Sequence, residues 1–80
     1  MARQAALRKV LAEVITESEL PRTLIAKDAS LGRATLESWL SGLRSPSPES
    51  AAQIVSALEM RAAHLTSLAQ RLRQALRAPK

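Results

Sequence analysis

The side chains in this sequence that could do chemistry are mostly cationic. The 80 residues include 12 Lys and Arg against 7 Asp and Glu, a formal net charge of +5. There is no Cys or Tyr, and His64 is the only histidine, so a thiolate or multi-histidine metal site is not expected. No two acids are spaced as a catalytic pair, and we expect no enzymatic activity, metal or cofactor. The positive charge favours a polyanionic partner, and solubility alone is the competing explanation.

The composition favours a single all-α domain spanning residues 1–80. Hydrophobic residues make up 46% of the chain and aromatic residues 1%, so the core must consist of aliphatic side chains around Trp39. Strong helix formers dominate, and only two glycines are present. No apolar run approaches the roughly 20 residues that cross a bilayer, and the beginning of the chain lacks a signal-peptide pattern. We therefore expect a cytoplasmic protein with no membrane partner.

Five segments have the pattern of a helix. Apolar residues recur at i, i+3 and i+4 in the first segment. Pro21 starts a second helix, and Ser47-Pro48-Glu49 is a helix start with a Ser cap, an early Pro and an early acid. The predicted helices cover about residues 2–17, 21–28, 32–41, 48–58 and 61–77.

The segment IAKDASLGRATLESWLSGLRSP, residues 25–46, predicts two short helices joined by a tight turn. Ile25-Ala26 places a large apolar residue and a very small one in the first helix. Leu36 and Leu40 form the inward side of the second helix, beside Trp39. Gly42 suits a left-handed helix terminus. Two short helices crossing in this way form a helix-turn-helix, whose second helix enters the DNA major groove.

Residues 25–60 resemble the lambda repressor and Cro type of helix-turn-helix protein. The resemblance consists of an ordered series of residues, namely Ile25-Ala26, Thr35-Leu36, Trp39, Ser41-Gly42 and Arg44-Ser45-Pro46. Three positions depart from the family pattern. The turn holds Ser30 and the end of the fourth helix holds Glu59, where the family commonly has Gly, and Arg22 stands where Gln is frequent. The resemblance implies a five-helix domain with its helix-turn-helix at about residues 21–41 and an extended C-terminal helix.

The resemblance also implies roles for individual residues on double-stranded DNA. Arg33 would grip guanine O6 and N7, and Ala34 would touch a thymine methyl. Ser38 would bond to a base edge, and Glu37 would either accept from cytosine or orient Arg33 at i, i+4. The phosphate contacts would come from Arg22, Thr23, Thr35, Ser41 and Arg44. The implied function is that of a small phage or bacterial transcriptional regulator, a repressor that occupies its operator as a homodimer on an inverted repeat.

The segment at residues 61–77 has more apolar face than four short helices need. Leu65 is expected to point inward, with Leu68, Leu72 and Leu76 at a two-fold dimer interface. The other interpretation is an antitoxin-like or adaptor module, in which this helix binds another protein and DNA binding is secondary. Trp39 is expected to pack at the edge of the core, and His64 to be half-buried rather than a metal ligand.

Overall fold

The computed structural model describes the backbone of residues 2–78 and the side chains of residues 5–78. The described part of the chain is all-helical, as predicted. Its helices are α1 (Ala2–Ser18), α2 (Arg22–Asp28), α3 (Arg33–Ser41) and α4 (Pro48–Arg77). The prediction of five helices is therefore wrong for these residues, since the fourth and fifth segments form the single helix α4. The residues at the expected break, Glu59-Met60-Arg61, are all good helix formers, and nothing there interrupts the helix.

The core lies between one side of α3 and the inward sides of the other three helices. Leu36 in α3 is fully buried, and Ile25 in α2 is 2% exposed. Trp39 is also buried, which confirms its predicted packing, and the Arg8 guanidinium on α1 donates to the Trp39 carbonyl over 3.3 Å. The remaining buried hydrophobic residues are Leu11, Ile15, Ala26, Ala29, Ile54 and Ala57.

Helix α1 uses only part of its predicted apolar stripe. Leu11 and Ile15 point into the core, and α1 packs against α3. Val10 and Val14 remain largely exposed, at 54% and 40%. Leu11 and Ile15, one turn apart, are therefore the buried side chains that anchor α1 to the core, and the hydrogen bond from Arg8 to the Trp39 carbonyl adds to them.

The connection between α2 and α3 is a tight turn closed by backbone hydrogen bonds. The Ala29 N–H donates to the Ile25 carbonyl over 2.9 Å, and the Leu31 N–H donates to the Ala26 carbonyl over 2.8 Å. Ser30 has φ +58°, in the left-handed region that favours glycine. A serine therefore occupies a position whose backbone conformation suits glycine best.

Replacing Ser30 with glycine should stabilise the protein. A non-glycine residue in the left-handed region costs about 1–2 kcal/mol of folding free energy, which a glycine avoids. The greater conformational freedom of glycine in the unfolded chain offsets part of this gain. We expect Ser30→Gly to raise the free energy of unfolding in urea by about 0.5–1 kcal/mol. Gly42, which has φ +86° at the end of α3, is the control. Gly42→Ala should lower the free energy of unfolding, and a loss of stability in Ser30→Gly would contradict this account of the turn.

Helix α4 begins as predicted and then extends beyond the core. The Ser47 hydroxyl accepts the Ser50 N–H over 3.1 Å, which confirms the cap, and Ile54 is buried where α4 packs on α2. Every residue from 62 to 78 is exposed. Leu65 is 53% exposed and His64 is exposed, so both burial predictions are wrong. Although α4 has 30 residues, no described helix is long and apolar enough to cross a membrane.

Candidate nucleic-acid interface

Helix α3 presents a polar outer face opposite its buried side. Leu36 and Trp39 fix the rotation of the helix because both are buried in the core. The residues on the opposite side are then Arg33, Ala34, Glu37, Ser38 and Ser41, which we call the outer face of α3. All four predicted base-contacting residues belong to this face, and the Arg33 side chain is 68% exposed.

Glu37 stands between two arginines. Its Oε1 lies 2.9 Å from Nη1 of Arg22 on α2, and its Oε2 lies 3.8 Å from Nε of Arg33 one turn earlier in α3. The predicted i, i+4 pair of Arg33 and Glu37 is therefore present. The ion pair with Arg22 links the beginning of α2 to the middle of α3, across fifteen positions of sequence. One carboxylate thus orients two guanidinium groups at the same surface.

The serine hydroxyls of the outer face are already engaged as donors. The Ser38 hydroxyl donates to the Thr35 carbonyl over 2.6 Å, and the Ser41 hydroxyl donates to the Ser38 carbonyl over 3.2 Å. Both oxygens keep lone pairs, and Ser41 uses one to accept the Leu43 N–H at 3.4 Å. In this arrangement Ser38 is ready to accept a hydrogen bond from a ligand rather than to donate one.

The loop after α3 returns toward the outer face. Gly42 ends the helix in the predicted left-handed conformation, and the Arg44 N–H then donates to the Ser38 carbonyl over 3.1 Å. A shallow cleft forms there, lined by Ala34, Thr35, Ser38, Leu43 and Arg44. Arg44 and Thr35, predicted as phosphate contacts, therefore lie beside two of the predicted base-contacting residues.

Sequence reasoning missed Leu43. Its side chain is 79% exposed at this cleft, an unusual place for a leucine in a loop of small and charged residues. An apolar residue directly after a helix-terminating glycine often packs back on the helix, so the local sequence predicts a covered Leu43 and gives no signal of an exposed one. Here it stays open to solvent and gives the outer face an apolar rim.

Cations flank the outer face on both sides. Arg22 reaches it from α2, where Thr23 is exposed, and Arg44 reaches it from the loop that follows α3. Arg22, Arg33 and Arg44 together outnumber the single acid Glu37. The surface is therefore net positive, with small and polar side chains between the charges. Such a surface suits a polyanion, because the arginines attract its charges and the small side chains between them let its polar groups come close to the helix.

Two further findings bear on this surface. No group of three or more His, Cys, Asp or Glu among the described residues is placed to hold a metal ion. Comparisons with protein-family models, with characterised proteins and with solved structures returned no match.

Proposed function

We propose that this protein is a sequence-specific double-stranded DNA-binding regulator of the lambda repressor and Cro type, acting as a repressor by occupying its operator. The helix-turn-helix consists of α2, the turn at Ala29-Ser30 and α3. The observation that supports it best is the outer face of α3, where small and polar side chains lie between flanking arginines. An α-helix with its side chains is about 10–12 Å across and fits a major groove about 12 Å wide, and the nine residues of α3 form about two and a half turns.

In this proposal Arg33 is the main base-reading residue. Its guanidinium lies at the first turn of α3 and is largely exposed, so it can extend into the groove and bond to O6 and N7 of one guanine. Glu37 restrains the direction of that side chain. Ala34 meets a thymine methyl, and Ser38 accepts from the amino group of a base because its proton is held by the Thr35 carbonyl.

The flanking residues bind the DNA backbone. Arg22 and Arg44 neutralise phosphates on either side of the groove, while Thr23, Thr35 and Ser41 add polar contacts. Such contacts supply affinity and register, and they make binding weaken as salt rises. A homodimer would place two copies of α3 on an inverted repeat, with half-sites about one helical turn or a multiple of it apart.

Selection of bound sequences from a random duplex DNA pool, at near-physiological salt, tests the proposal. We expect enrichment of an inverted repeat with a fixed half-site spacing. Recovery of unselected sequences, with binding that only tracks salt, would contradict sequence-specific regulation. The same purified protein on a single-stranded pool is the control, and preference for that pool would also count against the proposal.

The second candidate function is an antitoxin-like or adaptor module. The observation that favours it is the exposed second half of α4, whose leucines lie outside the hydrophobic core. Under this alternative the purified protein remains a monomer or aggregates until a partner protein covers that surface. A clean homodimer in light scattering, together with an enriched operator, favours the regulator instead.

A further inference from the structure

Glu37 is the one acid of the outer face of α3, and both of its carboxylate oxygens approach arginines. Its Oε1 accepts from Nη1 of Arg22 over 2.9 Å, and its Oε2 lies 3.8 Å from Nε of Arg33. The Glu37 side chain is 37% exposed, so DNA bound at the outer face would come close to the carboxylate. A carboxylate repels every phosphate that approaches it. Its effect on DNA binding therefore depends on what the two arginines do when DNA is present.

The contacts of Glu37 leave the ends of both arginines able to bond to DNA. Arg33 approaches Glu37 through Nε, so its two Nη groups can bond together to O6 and N7 of one guanine. Arg22 bonds to Glu37 through Nη1, so its Nε and Nη2 can bond to a phosphate. On an operator, each arginine can therefore contact DNA without leaving the carboxylate. Both ion pairs also become stronger there, because bound DNA excludes water from them.

DNA that lacks the guanine cannot preserve this arrangement. Without a guanine for Arg33, the strongest partners for its guanidinium are the phosphates, and the long side chain can turn toward them. Arg33 then leaves Glu37, whose negative charge faces the DNA backbone with less compensation. Like charges brought together in this way cost binding free energy. The carboxylate therefore opposes complexes in which Arg33 bonds to phosphate and spares those in which it bonds to guanine.

We propose that Glu37 is a specificity-determining residue, which acts by repelling DNA that lacks the guanine read by Arg33. It acts through the arginines at its two oxygens and is a positioning residue for both. Its carboxylate weakens binding to other sequences more than binding to the operator, which an orienting role alone would not do. The inference rests on the proposed function and concerns how strongly the operator is preferred.

The affinities of Glu37→Gln for the selected operator and for a fixed duplex of random sequence test the proposal. Glutamine keeps the size of the side chain and an acceptor oxygen, and only the charge is removed. We expect affinity for the random duplex to rise at least about fivefold and operator affinity to change less than about twofold. The salt dependence on the random duplex should steepen by about one unit of slope, because an arginine released from Glu37 binds a phosphate. An equal gain on both duplexes, or no gain on the random duplex, overturns the proposal.

Glu13→Gln is the matched control, because it removes the same charge from another exposed position. Glu13 lies two residues from Leu11 and two from Ile15, which are both buried, so it is on the opposite side of α1. We expect this variant to raise both affinities by the same small factor and to keep the operator preference. If Glu13→Gln loses as much preference as Glu37→Gln, net charge alone sets the preference and the proposal is wrong. Both variants should unfold near the wild-type temperature, because exposed ion pairs contribute little to stability.

Operators altered one base pair at a time show where the preference is lost. We expect Glu37→Gln to lose discrimination at the base pair that Arg33 reads, which Arg33→Ala identifies independently, and to keep it within about twofold elsewhere. A loss spread over all positions, or confined to a different base pair, overturns the proposal. Failure of the wild-type protein to select any operator contradicts the proposed function itself. An operator whose preference survives intact in Glu37→Gln contradicts only the role of Glu37, so the two failures are distinguishable.

Discussion

Replacing Leu36 with alanine should cost roughly 2–5 kcal/mol of unfolding free energy, the largest effect of any single truncation that we expect in this protein. Among the core residues that the structure describes, Leu36 alone has no exposed area, and it packs where α3 meets the rest of the core. Its loss leaves a cavity and removes a residue that fixes the rotation of α3. Because small domains are stable by only about 5–15 kcal/mol, this loss is a large part of the total and should move the urea midpoint well below that of wild type.

Urea denaturation followed by circular dichroism measures this effect. Leu43→Ala is the matched control, because it removes the same atoms from a side chain that is 79% exposed. We expect that control to change stability by less than about 0.5 kcal/mol. Equal losses in the two variants would show that Leu36 does not have the packing role described for it.

Replacing Arg33 with alanine should weaken binding to the selected operator by about 1–3 kcal/mol, or roughly 5- to 150-fold. Arg33 is largely exposed, and its ion pair with Glu37 is long, at 3.8 Å, and open to solvent. Such a pair contributes little to stability, so the variant should stay near wild type in its free energy of unfolding. The variant should also lose preference at one base pair, because a bidentate contact to guanine distinguishes that base from the other three.

Competition binding against operators altered one base pair at a time measures both effects. Arg44→Ala is the control, since a phosphate contact should weaken all sequences alike and reduce the salt dependence by about one unit of slope. The base-reading role of Arg33 is refuted by an unchanged operator affinity. The phosphate role of Arg44 is refuted by a loss confined to some sequences.

Much of the secondary structure near the outer face was predictable because its determinants are local. Gly42 ends α3 in a left-handed conformation, and Ser47 caps α4 through a residue three positions away. Helix periodicity also placed Leu36 and Trp39 inward, and therefore Arg33 and Ser38 outward. These features depend on residues within one or two helical turns of each other, so they can be predicted from neighbouring positions in the sequence.

The pairing of Arg22 with Glu37 could not be predicted in the same way. The i, i+4 pair of Glu37 with Arg33 was expected from spacing, but Arg22 lies on another helix. Its approach depends on the crossing of α2 and α3, which is set by how Ile25, Ala26 and Leu36 pack. A distance between helices is a property of the assembled core and not of any local pattern.

By itself the sequence determined that the chain forms helices, where three of them begin and end within about a residue, and which side of α3 faces outward. Only the tertiary structure decided that α4 continues through Glu59-Met60-Arg61 and that Leu65 lies outside the hydrophobic core, 53% exposed. The physical reason is that periodicity specifies which residues share one side of a helix. Whether that side is covered depends on how far the other helices extend along it, and here they end at the ion pair of Asp28 and Arg61.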